Sequence, residues 1–172
     1  HRLATLRVAT TSLWLSTEQI EFVVQQFPAD DFGRVAAAVI LHARCVDLEH
    51  YHRLFRGLEP REQLELVHCL GWLNCMNPLH PERIYALDLR SHEQREMCKV
   101  LVKLASEEPG RTWVGAAYKG SALDSFVPGW ERPAAWSSED HELKGEGGPS
   151  KSGRLQLRYS SDPARGCAPK WA

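Results

Sequence analysis

Over the first two thirds of the chain, apolar positions recur at helical spacing, and residues that start or stop helices bound each run. Ser16-Thr17-Glu18-Gln19 has the form of a capping box, in which the Ser16 hydroxyl and the Gln19 side chain serve each other's backbone amides. Leu15 and Ile20 sit where a hydrophobic staple needs them, and Ile20, Val23, Val24 and Phe27 continue as one stripe until Pro28. A second helix is expected from Asp30 or Asp31 to near Cys45, with Phe32, Val35, Ala36, Val39, Ile40 and Ala43 facing inward.

Asp47 suits the cap of a third helix carrying Leu48, Tyr51, Phe55 and Leu58 on one side. Pro60 fits the first turn of a fourth, running to Leu73. Leu66, Leu70 and Leu73 form one row there and Leu64, Val67 and Gly71 another, so a wide apolar arc and a central position are expected. Asn77-Pro78 and His80-Pro81 force a turn. Ile84 to Leu89 reads as a short extended or irregular crossing. Ser91-x-x-Gln94, a second box-like spacing, opens a fifth helix with Met97, Val100, Leu101 and Leu104 inward, ending near Glu107. Laying Arg34 over Arg95 aligns Val35–Ala43 with Glu96–Leu104; generic helix composition explains this echo as well as a duplicated helix pair does.

The pattern changes at Pro109-Gly110. From there on lie nine of the twelve glycines and six of the ten prolines, together with Trp113, Trp130, Trp136 and Trp171. Segments that stay solvated are typically poor in aromatics, so these indoles are expected to bury against something. Pro128 to Trp136 alternates turn-makers with indoles, and Gly145 to Gly153 has linker composition. Arg154 to Tyr159 alternates strictly, with Leu155, Leu157 and Tyr159 on one side. A lone strand is unstable in water, so this one must add to a sheet edge or lie in a groove.

The fold class expected from these patterns is all-α: a bundle of about five antiparallel helices followed by a long irregular C-terminal arm. Residues 1–120 would form the bundle domain and 121–172 the arm. Trp113 would close the bundle, and Trp130, Trp136, Leu155, Leu157 and Tyr159 would bind a partner, since large aromatics dominate interface energetics.

At 172 residues the chain has room for one ordinary domain and an extension. A net charge of −1 excludes a broadly basic nucleic-acid binder, leaving only Lys151, Arg154, Arg158, Arg165 and Lys170 as a local basic set, which a solvated tail explains. Five cysteines, an odd number without paired spacing, favour a reducing compartment. The sequence has neither a run long enough to span a bilayer nor a signal-peptide core. His50-x-His52 has strand spacing on a helical segment, and His68, Cys69 and Cys75 complete no tetrahedral set, so no metal is expected. No nucleophile elbow or phosphate-cradling glycine loop occurs, and the acid pairs Asp30-Asp31 and Glu107-Glu108 suit helix ends. His42 lies at the margin of its stripe, as a satisfied histidine would. Catalytic residues and cofactors are accordingly not expected.

Leu15 to Leu58, with Phe27, Asp31, Arg34, Ala37, Cys45-Val46-Asp47, Tyr51 and Leu54, resembles a small helical-repeat domain of unknown function found in bacterial and animal proteins. The resemblance implies short antiparallel helix pairs and carries no catalytic residue. Together these readings give a non-catalytic interaction or structural module, cytoplasmic, whose arm anchors it among the proteins of a larger assembly such as a cytoskeletal complex or ciliary axoneme. Neither a membrane nor a nucleic acid is expected as partner. Two alternatives are a soluble adaptor holding a short peptide in an interhelical groove and an enzyme with a dispersed active site.

Overall fold

The computed structural model describes residues 2–29, 32–108, 110–121, 124–137 and 148–161. The chain divides into two compact units, His1–Asn77 and Pro78–Ala172.

The first unit is helical. It contains α1 (Arg2–Ala9), α2 (Thr17–Gln25), α3 (Gly33–His42), a 3-10 turn at Leu48–His50, α4 (His52–Arg56), α5 (Pro60–Leu70) and α6 (Trp72–Cys75). The capping box before α2 is present in full: Ser16 N–H donates to Gln19 Oε1 at 3.0 Å, and Gln19 N–H donates to the Ser16 hydroxyl at 3.3 Å. Pro60 occupies the first turn of α5, and Glu59 and Glu62 form a box there in which Glu62 Oε2 accepts from Glu59 N–H at 2.9 Å. Ile20, Val35, Ala37, Ala38, Leu41, Tyr51, Leu54 and Leu66 make the core, and the Tyr51 hydroxyl donates to Ala38 O at 3.1 Å.

One helix of this unit is unannounced by the sequence, and two local readings are corrected. α1 is a helix that apolar periodicity does not announce, because it buries none of its residues. The wide apolar arc of α5 is not there: Leu66 is buried, whereas Leu64 and, beyond the helix, Leu73 are exposed. Asp47 makes no side-chain cap to the turn that follows it. Its carboxylate instead caps the distant α2, accepting from Thr17 N–H at 2.6 Å and from the Thr17 hydroxyl at 3.0 Å.

Burial alone would raise the Asp47 pKa, but donation from Thr17 and from the Cys45 thiol outweighs it and holds the carboxyl below its ordinary value. A carboxylate depressed in the folded state contributes stability above the unfolded pKa, about 3.9, and loses it as pH falls through the folded value. Asp47→Ala is therefore expected to cost about 1–2 kcal/mol at neutral pH. Denaturant titrations of both proteins should show this gap narrowing as pH drops below about 4. A gap independent of pH would assign the loss to packing.

The second unit overturns the all-α expectation. Among the described residues of the chain, seven helices accompany a four-stranded antiparallel sheet, so the molecule is not a helical bundle. The strands are β1 (Ile84–Asp88), β2 (Trp113–Lys119), β3 (Val127–Pro128) and β4 (Arg154–Tyr159), in the order β1-β4-β2-β3. The crossing at Ile84 to Leu89 is thus a strand, and the alternating segment at 154–159 pairs with its own chain on both sides. β4 aligns Tyr85 with Leu157 on one flank and Trp113 with Tyr159 on the other. α7 (His92–Glu107) links β1 to β2 and buries Met97, Cys98, Leu101 and Val102. These side chains join Tyr85, Leu87, Leu155, Leu157 and Tyr159 in the core of the unit.

The box-like spacing before α7 works differently from the one before α2. Ser91 makes no side-chain cap, and Gln94 Oε1 accepts from Asp88 N–H at 2.6 Å, tying the helix start to the end of β1. Asp88 also pairs with Arg90 and Arg154. Among the described residues no helix is long and apolar enough to cross a membrane.

Candidate functional site

Three indoles beyond the fifth predicted helix, Trp113, Trp130 and Trp136, assemble on the second unit. β2 begins with Trp113, 7 % exposed, and then bulges between Val114 and Ala117, where Gly115 takes φ +60°. The bulge restores register so that Tyr118 lies opposite Leu155. β3 follows, and Trp130 N–H donates to Ala116 O at 3.1 Å, drawing the chain back over β2. A 3-10 turn at Ala134–Ser137 then delivers Trp136.

The rings meet around Trp130. Its centroid lies 5.2 Å from Tyr118 and 6.5 Å from Trp113, both stacked, and 5.1 Å from Trp136 in a tilted contact. These separations fall in the range of favourable aromatic pairs. Trp130, Trp136 and Tyr118 are half-buried, so the cluster presents part of each ring to solvent. Arg132 fastens it to α7, donating to Val102 O at 2.8 Å and to the Ser106 hydroxyl at 3.1 Å, while its guanidinium carbon lies 5.7 Å from the Trp113 ring centroid. Burial lowers the Arg132 pKa from its ordinary value, with the group still a cation near neutrality.

Trp130 and Trp136, expected together, are together. Trp113, assigned from sequence to closing a helical bundle, belongs to the same cluster. Leu155, Leu157 and Tyr159 lie beneath that surface: Leu155 is opposite Tyr118 and Tyr159 opposite Trp113, but as alternate residues of β4 they are 0 %, 2 % and 0 % exposed. Their apolar alternation is that of a strand whose buried face meets its own unit. Tyr118 and Arg132 were not singled out by sequence. The available signal was the nearness of Arg132 to Trp130, since guanidinium and indole pair readily. Trp171 and Cys167 lie outside the described residues, as do Asp30 and Asp31.

The histidines and cysteines make no comparable constellation among the described residues. Among the described residues no group of three or more His, Cys, Asp or Glu side chains could hold a metal ion. His42 packs edge-on against Tyr51 at 4.9 Å, and burial lowers its pKa. His52 Nδ1 lies 2.9 Å from Glu49 O. Cys45, Cys75 and Cys98 are buried thiols outside any disulfide, and burial pushes Cys98 up to about 12. Such a thiol stays protonated at physiological pH and is a poor nucleophile. Comparisons with protein-family models, with curated proteins and with solved structures give no match to this chain.

Proposed function

We propose that the chain is a non-catalytic protein-interaction module and that the aromatic surface around Trp130 and Trp136 holds it in a larger cytoplasmic assembly, cytoskeletal or axonemal in kind. The observation that carries this reading is that Trp130 and Trp136 stay partly exposed although Trp130 contacts three other rings. A cluster serving only to cap the sheet would gain by burying those rings fully, at about 25 cal/mol for each Å² of apolar surface. Partly exposed indoles packed among neighbouring rings are the kind of side chain that contributes most when a partner covers them.

The double change Trp130→Ala and Trp136→Ala tests it. Neither ring belongs to the sheet core of Tyr85, Leu87, Leu155 and Leu157. Far-ultraviolet circular dichroism of the variant is expected to match the parent, while association with the partners recovered by the parent falls at least tenfold, about 1.4 kcal/mol. Loss of the circular dichroism signal would place the rings in the structural core. Unchanged association would remove them from the interface.

A further inference from the structure

Beside the aromatic cluster, within the second unit, lies a pocket of about 350 Å³. Trp113 and Trp130 supply two indole walls, Ala105 of α7 contributes a small side chain, and Arg111, Glu131 and Arg132 complete the lining. The volume is near the lower end for ligand sites and suits one or two side chains. Arg132 is already engaged with α7 and with the Trp113 ring. Arg111 is exposed, and among the described residues it makes no hydrogen bond or ion pair. The lining carries two guanidiniums and one carboxylate, that of Glu131, so it is net positive.

We propose that this pocket receives a short acidic segment of a partner protein, with one aromatic or large apolar side chain against the indoles and a neighbouring carboxylate on Arg111. The proposal rests on the interaction reading above and gives it a partner chemistry. Guanidinium matches carboxylate in a two-donor fork, and indole offers large apolar area at little entropic cost. A nucleic-acid strand could also stack on the rings, but its binding scales with the number of phosphates neutralised. One uncommitted arginine beside a glutamate favours a peptide carboxylate over a row of phosphates.

Calorimetric titration of the whole chain tests this with three probes: a capped peptide alternating glutamate with phenylalanine, the same peptide with lysine for glutamate, and a thymidine oligonucleotide. The glutamate peptide is expected to bind at least tenfold tighter than the lysine peptide, and Arg111→Glu to abolish or reverse that preference. Ala105→Leu, which fills the pocket, should weaken the glutamate peptide at least tenfold. Arg111 is exposed, so its variant should retain the parent circular dichroism spectrum.

An unchanged preference in Arg111→Glu, binding of the oligonucleotide without the peptide, or no binding of any probe at about 1 mM would overturn the proposal. The two readings fail separately. If Arg111→Glu and Ala105→Leu leave both peptide and partner binding intact, the pocket assignment falls and the interaction role stands. If the double tryptophan variant keeps every partner while the parent still prefers the glutamate peptide and Arg111→Glu abolishes that preference, the pocket stands as an acidic-peptide site and the assembly role falls.

Discussion

Gly153→Ala is expected to destabilise the second unit by about 3 kcal/mol or more, which would appear as a large loss of midpoint in urea titrations followed by tryptophan fluorescence. Gly153 immediately precedes β4, has φ +92°, and its carbonyl accepts from Leu89 N–H at 2.9 Å. A methyl group there would sit 2.5 Å from the Lys119 carbonyl oxygen and 2.6 Å from the Tyr118 hydroxyl oxygen. The first of these is backbone, so relief requires moving the end of β2 or the start of β4. Backbone strain adds about 1–3 kcal/mol, because an L side chain is unfavourable at that φ. Gly115→Ala is the matched control. Its φ of +60° is also left-handed, yet nothing lies within 4 Å of an added Cβ. A loss of only about 1 kcal/mol is expected there. Equal losses at the two positions would refute the close-approach argument.

The second large effect concerns a residue whose sequence context suggested an interface. Leu155→Ala is expected to cost about 2–5 kcal/mol, the range for truncating a fully buried leucine. Leu155 is 0 % exposed in the strand flanked by β1 and β2, opposite Leu87 on one side and Tyr118 on the other. Removing it leaves a cavity that strands on both sides limit from collapsing. Calorimetric melting should show the loss in the free chain, with no partner present. A neutral Leu155→Ala in isolation, combined with weakened association, would return this position to an interface role.

Local signals were legible and non-local ones were not. The capping box at Ser16 to Gln19 involves residues three apart and could be read directly, as could Pro60 at the start of α5. β4 announced its alternation but not its neighbours, since β1 precedes it by the whole of α7, β2 and β3. β2 concealed itself differently. The bulge around Gly115 breaks its period of two, and its burial runs in no simple alternation. α1 lacks the buried stripe on which periodicity depends.

The aromatic cluster was half legible for the same reason. Trp130 and Trp136 are neighbours along the chain, so the sequence itself groups them. Trp113 reaches Trp130 only because β2 and the segment after β3 fold together, a fact carried by the Trp130 to Ala116 hydrogen bond and not by composition. Asp47 shows the converse error. Its position before a short helical turn invited a local cap, while its hydrogen-bonding partner lies thirty residues earlier, at Thr17.

The position of β4 between β1 and β2 sets an order of events during synthesis. Until Arg154–Tyr159 emerges from the ribosome, β1 has no strand beside it, and Tyr85 and Leu87 lack their cross-strand neighbours Leu157 and Leu155. At about 5–20 residues per second, the interval between completing β1 and reaching β4 is roughly 3 to 13 seconds. Loop-closure entropy opposes the pairing even after β4 appears, as it does wherever sheet partners lie far apart in sequence. The nascent chain therefore presents an aromatic and aliphatic edge for seconds, the kind of surface that chaperones which hold unfolded chains engage.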